Sequence, residues 1–268
     1  MNCKNCDETL EHGAQFCNHC GARVIVEPFT FKYVTQDFEE RFLNLDRNLL
    51  VRTFRDMLLR PKAVIDGYID GVRKRHMNLA NWLAVAITAS GLMIFVIRNL
   101  YPESLDMTWM VEAMGESQKD NPFFQNLEQE DPTETMWWME YQAILYILMI
   151  PIYALLAKIT FIKQKAYSYL KHIVIVGYTQ SWLSLAMTLP VLILLPFGAN
   201  YMKMSYWVIL IQFLFSAYVY KRMFNLSFLG IVWRSLLFIL IGIGVYLLLV
   251  IGVVIFMMVF GAGFAAQG

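Results

Sequence analysis

Every aspartate and glutamate in this 268-residue chain lies at or before Glu140, so residues 141 to 268 carry no carboxylate at all. A water-soluble domain draws about a quarter of its residues from Asp, Glu, Lys and Arg. A long acid-free stretch rich in Leu, Ile, Val, Phe and Trp must be hidden from water, and a bilayer is the solvent that suits it. The whole chain agrees: 58% of residues are hydrophobic, 15% aromatic and only 16% charged. An ordinary soluble enzyme is excluded. The net charge of +1 gives no reason to expect nucleic acid as a partner. The first twenty residues are polar and cysteine-rich, without the apolar core of a signal peptide, so none is expected.

Five apolar runs are legible: about Leu79 to Leu100, Met136 to Phe161, Leu170 to Phe197, Met204 to Tyr220, and some part of Leu226 to Phe260. Their flanks alternate in charge. Arg73, Lys74 and Arg75 precede the first run, Lys158, Lys163, Lys165 and Lys171 surround the junction of the second and third, and Lys221 and Arg222 follow the fourth. The segment from Tyr101 to Thr135 is acidic instead, and the sequence gives it to the opposite side. The positive-inside rule then predicts five crossings, with the N-terminus cytoplasmic and the C-terminus outside. Trp137, Trp138 and Tyr141 are expected to anchor the outer end of the second span. Pro151, Pro190 and Pro196 are kink positions that neighbouring membrane helices can tolerate. The last run is too long for one ~30 Å crossing, so Leu226 to Trp233 are expected as a surface turn with Arg234 reaching the inner interface. A re-entrant break at Gly242-Ile243-Gly244 is the alternative.

All four cysteines fall at the start, as Cys3-x-x-Cys6, ten residues, then Cys17-x-x-Cys20. Each pair offers two thiolates from one tight turn, and two such turns close a tetrahedron. That is the pattern of a structural zinc site, one ion with no open coordination position. A disulfide pair needs an oxidising compartment, and a redox C-x-x-C needs a βαβ surround that is missing here. His12 and His19 are weaker ligand candidates, since four cysteines already fill the shell. Reduced thiolates put this end in the cytoplasm, in agreement with the charge rule.

Between the cysteines and the first run, residues 22 to 35 read as a short strand and linker. A helical pattern then starts with Phe38, Phe42, Leu45 and Leu49 and drifts through Phe54, Met57 and Leu58 until Pro61 stops it. Its basic residues are Arg47, Arg52, Arg55, Arg60 and Lys62. Two readings stay open: a helix lying on anionic headgroups, or one packed against the membrane domain with its charges solvated. A second short helix through Val64, Ile65, Tyr68, Ile69 and Val72 leads to the basic cluster at Arg73, Lys74 and Arg75.

No nucleophile elbow, metalloprotease, phosphate-loop or dinucleotide fingerprint occurs, so no catalytic residue is assigned and the chain is expected not to be an enzyme. Glu140 is the one carboxylate in the apolar runs, at their outer edge. The buried polar residues Gln142, Gln180, Ser184 and Gln212 form a candidate polar cavity, with interhelical hydrogen bonding as the plainer use.

Arg52-Thr53-Phe54, Leu58-x-Arg60-Pro61 and Ile65-x-x-Tyr68-Ile69-x-Gly71-x-Arg73, together with the two cysteine knuckles, resemble one bacterial family. It is the domain of unknown function numbered 3667, multi-pass membrane proteins with a cytoplasmic zinc ribbon. The resemblance covers about residues 1 to 80 by motif and implies no activity. Asp7 follows Cys6 where such ribbons usually carry glycine.

The sequence therefore predicts an all-α polytopic membrane protein of five spans with a small N-terminal zinc ribbon. Residues 1–25 are the ribbon, 26–78 the cytoplasmic helices, and 79–268 the membrane domain with its acidic loop at 101–135. The expected location is the bacterial inner membrane. The expected role is docking of a protein partner or lipid headgroups by the ribbon and basic helix. Transport of a lipid or small solute through the kinked second and third spans is the alternative, and self-association is open.

Overall fold

The structure, a computed structural model, describes residues 2–21, 24, 47–72, 74–110, 139 and 141–256. Side chains at 47 and 253–256 are not among the features described. Among the described residues there is no strand: residues 2–21 are turns, with an isolated antiparallel bridge between Asn2 and Thr9, and the elements from Arg47 onwards are helices. Two short helices, α1 (Arg47–Leu59) and α2 (Pro61–Ile69), precede five long ones: α3 (Leu79–Leu100), α4 (Gln142–Thr160), α5 (Tyr169–Leu194), α6 (Tyr201–Phe224) and α7 (Phe228–Phe256). The five are long and apolar enough to cross a membrane. The third gains a final 3-10 turn at Leu195–Phe197, around Pro196.

Local chemistry sets most boundaries. Pro61 sits at the first position of α2, where its missing N–H costs nothing, so the residue that ends α1 starts its successor. Asn78 caps α3 by accepting from the Asn81 amide at 2.8 Å, and Asn200 caps α6 through the Lys203 amide at 2.9 Å. Asn225 ends α6 in the left-handed region at φ 49°. Gly71, at φ 93°, ends α2 in the same way and lets the Val72 amide reach back to the Gly67 carbonyl at 2.8 Å.

The fourth span is longer than its hydropathy implied, because these two asparagine caps lie outside the apolar core and Lys221 and Arg222 complete the last turn. The expected surface turn at Leu226 to Trp233 is corrected. Only Leu226 and Ser227 stay outside the helix; Ser227 Oγ accepts from the Gly230 amide at 3.1 Å, and α7 starts at once. The helix then runs unbroken through Gly242 and Gly244 for 29 residues, about 43 Å at ~1.5 Å per residue. Excess length, not a turn, absorbs the long apolar run. The strand expected at 22–35 lies outside the described residues apart from Val24. So do Phe38, Phe42 and Leu45, most of the acidic segment, Trp137, Trp138 and Glu140.

The bundle centres on α5, which packs against α3, α4 and α6. At Gly177 α3 comes close: a Cβ there would stand 2.9 Å from Leu79 Cδ1. Trp82, Ile175 and Tyr178 fill the centre, with Met57, Val64 and Ile65 of α1 and α2 completing the same cluster. The outer faces of α4, α6 and α7 are bare apolar surface, with Ile144, Ile147, Trp207, Leu210, Leu240 and Leu248 all exposed. Patches on that scale suit acyl chains and not water.

Candidate metal centre and buried polar clusters

The sulfurs of Cys3, Cys6, Cys17 and Cys20 all lie within 4.8 Å of one another. Cys3 Sγ to Cys20 Sγ and Cys6 Sγ to Cys17 Sγ both measure 3.7 Å. A disulfide would need about 2.05 Å. A tetrahedron of thiolates at about 2.3 Å from a central ion has an edge near 3.8 Å, so the observed spacings fit a metal-sized gap. The two knuckles are built alike. The Asp7 amide donates to the Cys3 carbonyl at 2.8 Å and the Gly21 amide to the Cys17 carbonyl at 2.7 Å. Both residues are left-handed, at φ 61° and φ 62°. Asp7 thus takes the conformation glycine usually supplies, which aspartate tolerates better than most side chains. Asn5 Nδ2 donates to Cys20 Sγ at 3.4 Å, the kind of outer contact that steadies a thiolate. His12 and His19 are exposed and stand outside the group. Four soft donors in a closed shell can hold a metal ion.

The basic residues fall into distinct settings. Asp56, 1% exposed on α1, accepts from His76 Nε2 at 2.9 Å and from Arg60 Nη2 at 3.0 Å on Oδ2, while Arg55 Nε approaches Oδ1 at 3.3 Å. Burial pushes the Asp56 carboxyl up. The His76 hydrogen bond and the Arg60 and Arg55 guanidiniums outweigh it and hold the pKa at about 2. Burial pushes His76 below its ordinary value, against the pull of Asp56, and Arg75 and Arg60 add to the lowering. Lys62 Nζ donates to the Met223 carbonyl at 2.7 Å and pairs with Asp66 at 3.4 Å. Lys74 donates to the Cys20 carbonyl. Arg52 and Arg75 are exposed, Arg73 lies outside the described residues, and the Arg47 side chain is likewise not described.

The basic helix α1 packs against the long helices. Phe54 stacks on Trp182 with centroids 5.1 Å apart, and Trp182 Nε1 donates to the Phe54 carbonyl at 2.7 Å. Tyr218 Oη donates to the Leu58 carbonyl at 2.6 Å. Thr53 Oγ1 accepts from the Met77 amide at 2.8 Å, and Tyr178 Oη donates to the Met77 carbonyl at 2.7 Å. Tyr167 Oη donates to Asp66 at 2.8 Å. Asp56, His76 and these tyrosine and tryptophan donors are sites the sequence reading missed. A lone acid among arginines at i−1 and i+4 was the available signal for Asp56; nothing local marked His76 as its partner.

The polar residues proposed as one cavity are not brought together. Gln212 Nε2 donates to Gln180 Oε1 at 2.7 Å, joining α6 to α5. Ser184 Oγ meets Ser90 Oγ at 2.5 Å, joining α5 to α3. Gln142 lines a separate cleft of about 490 Å³ with Ser90, Arg98 and Tyr146, its buried Oε1 without a partner among the described residues. Gln180 and Ser184 are one turn apart on α5, yet their hydrogen-bond partners belong to α6 and α3 respectively. The Gln180–Gln212 pair borders a second cavity, of about 360 Å³, between α4, α5, α6 and α7.

No curated protein and no solved structure matches this chain. The cysteines lie outside the one stretch that a family model covers. That stretch takes in Phe54, which meets Trp182 of the bundle, and the Asp56, Arg60 and His76 cluster. Residues 47–88, from α1 to the first half of α3, match the family described as Protein of unknown function (DUF3667).

Proposed function

We propose that this chain is a non-enzymatic, five-span protein of the bacterial inner membrane, whose N-terminal module is a zinc ribbon that docks a cytoplasmic protein partner. The observation that carries the reading is the four-sulfur cluster, a closed site suited to folding a segment and not to activating water. Twenty residues are too few for an apolar core, so the metal does the folding and the surface stays free for contact. Phe16 is 55% exposed there, an apolar side chain in reach of a partner. Arg55, Arg60 and Lys62 already meet Asp56 and Asp66, which favours a protein partner over headgroups as the main target.

Orientation rests on charge. Lys158, Lys171, Lys221, Arg222 and the α1–α2 segment share one end of the bundle, and lysines resist transfer at about 2.3 kcal/mol per charge per 100 mV. That end is assigned to the cytoplasm and the C-terminus to the outside. A photo-crosslinker at Phe16 in intact cells tests the docking role. Discrete protein adducts that vanish in Cys17→Ser are expected; adducts unchanged by that substitution would overturn it. In a cysteine-free background, Ser168→Cys should label only in opened membranes and Ser117→Cys from outside.

A further inference from the structure

We propose that the cavity between α4, α5, α6 and α7 holds the phosphate headgroup of an anionic phospholipid, with Arg234 as its anion-binding residue. This site is separate from the N-terminal module, and the proposal does not depend on docking.

Arg234 is seven residues into α7 and half-buried, its guanidinium 5.5 Å above the Phe161 ring. A guanidinium offers five N–H donors. Among the described residues none finds a hydrogen-bond acceptor and no carboxylate pairs with it. None of the five long helices can provide one, since neither Leu79–Leu100 nor residues 141 to 268 contain an acid. A cation at membrane depth normally has a partner, and the anion most available beside a bilayer is a lipid phosphate, which a guanidinium can bind through two parallel bonds.

The surroundings suit that occupant. Beside Arg234 the wall carries the Ser235 and Ser216 hydroxyls and the Gln180–Gln212 pair. With Gln180 Oε1 taken by Gln212, the Gln180 amide nitrogen keeps its donors for an incoming oxygen. Beyond this polar patch the wall is apolar, through Phe213, Phe238 and Ile209. Ile209 is 62% exposed on the outer face of α6, so the cavity is continuous with the surface that meets acyl chains. A headgroup on Arg234 can therefore keep its tail in lipid. The cavity reaches towards the end of the bundle shared with α1 and α2, since Phe161 and Tyr220, at or near the ends of α4 and α6, line it.

The test uses the full chain in nanodiscs containing phosphatidylglycerol with a photoactivatable acyl chain. Cross-links are expected on the cavity faces of α6 and α7, competed by unlabelled phosphatidylglycerol. Arg234→Gln should lower lipid retention by about tenfold, the loss of a charge-assisted contact, and Arg234→Lys should restore part of it. Ser216→Trp, which fills the cavity and keeps the arginine, should also lower retention, so a folding failure of Arg234→Gln leaves the idea testable. Arg222→Gln, at the same end but outside the cavity, should change nothing. Equal retention in Arg234→Gln and Ser216→Trp, or equal loss in Arg222→Gln, would overturn the proposal. Competition by inorganic phosphate alone would also overturn it, in favour of a free-anion site.

Discussion

Residues 2–21 and residues 47–78 are both short segments outside the long helices, and they are held in opposite ways. The first has almost nothing apolar to bury: its cluster is Cys3 and Cys17, with Cys6, Leu10 and Cys20 against them. Its order depends on four sulfurs meeting round one centre. Among the described residues the second forms no cluster of metal ligands and takes its order from the bundle, burying Met57, Val64, Ile65 and Tyr68 and receiving Trp182, Tyr178 and Tyr218 as donors. Neither is large enough to fold alone. One is arranged so that an ion could complete it and the other is completed by the helical bundle, so they should fail under different insults.

Chelation separates them most sharply. Cys17→Ser, or a strong chelator, should strip the metal from the N-terminal module and leave α1 to α7 intact. Structural zinc sites carry on the order of 10 kcal/mol of binding free energy, so the effect on the first twenty residues is loss of fold. Metal content per chain should fall from one to near zero, and protease should then cut between Lys4 and His19. A full metal complement in Cys17→Ser would mean that a histidine or another donor replaces the thiolate.

The converse break is at Asp56. Asp56→Asn removes the charge that three cationic or hydrogen-bonding side chains share and leaves His76 and Arg60 without it. Breaking a buried pair costs about 3–5 kcal/mol; Arg60 and Arg55 are half-exposed, so about 2 kcal/mol is expected after screening. Trypsin should cut at Arg52 and Arg55 sooner, while the metal content stays at one. Unchanged cutting would show that packing by Phe54 and Met57 holds α1 unaided.

Gly177 tests the bundle on which the second segment leans. Gly177→Val would push a branched side chain into Leu79, whose Cδ1 already sits 2.9 Å from the position of an added Cβ. Overpacking of this kind costs about 1–3 kcal/mol. Thermal unfolding in micelles should shift down, and less for Gly177→Ala, because the atom encountered is the movable end of a leucine.

These three sites differ in how plainly the sequence announced them. The cysteine pattern is a local code, four ligands at fixed spacing, and the structure closes it as the spacing implied. The first span, Leu79 to Leu100, was legible because the apolar run fills the helix from end to end. Other boundaries drifted where a polar cap sits beyond the apolar core, as at Asn200 and Asn225. What hydropathy could not tell is which neighbour a polar side chain meets. Gln180 and Ser184 share a helical face in sequence yet serve different helices, and Asp56 and His76 are twenty residues apart with no motif joining them. Such pairings belong to tertiary geometry, which no single period encodes.

A smaller effect distinguishes the segments by pH. Asp56 has a folded pKa of about 2, below its unfolded value, so its contribution is complete above about pH 4 and fades only as pH falls towards 2. Between pH 8 and 5 it is constant. His76 is held below its ordinary 6.5 in the fold, so the unfolded segment takes up the proton first, and docking weakens as pH falls below about 6.5. Trypsin sensitivity at Arg52 should therefore rise from pH 7.5 to 5.5. In His76→Gln, which keeps a donor for Asp56, that rise should disappear; persistence of the slope would place the titrating group elsewhere.

The smallest change expected is at Arg55, and it sharpens the account of the Asp56 cluster. Arg55 is 61% exposed at its side chain, and its contacts to Oδ1, both 3.3 Å, are longer than the 3.0 Å of Arg60 and the 2.9 Å of His76 to Oδ2. Water competes for an exposed guanidinium, and exposed pairs contribute about 0.2–1 kcal/mol. Arg55→Gln should fall at the low end, about 0.3 kcal/mol, and raising salt should erase the difference from the parent chain. Arg60→Gln should cost more under the same conditions, because its contact is shorter and shares Oδ2 with His76. Equal losses at the two arginines would mean that the cluster responds to total positive charge around Asp56 and not to individual hydrogen bonds. A double-mutant cycle of each arginine with Asp56→Asn measures its coupling to the carboxylate: unequal couplings report the individual contacts, equal ones the shared charge.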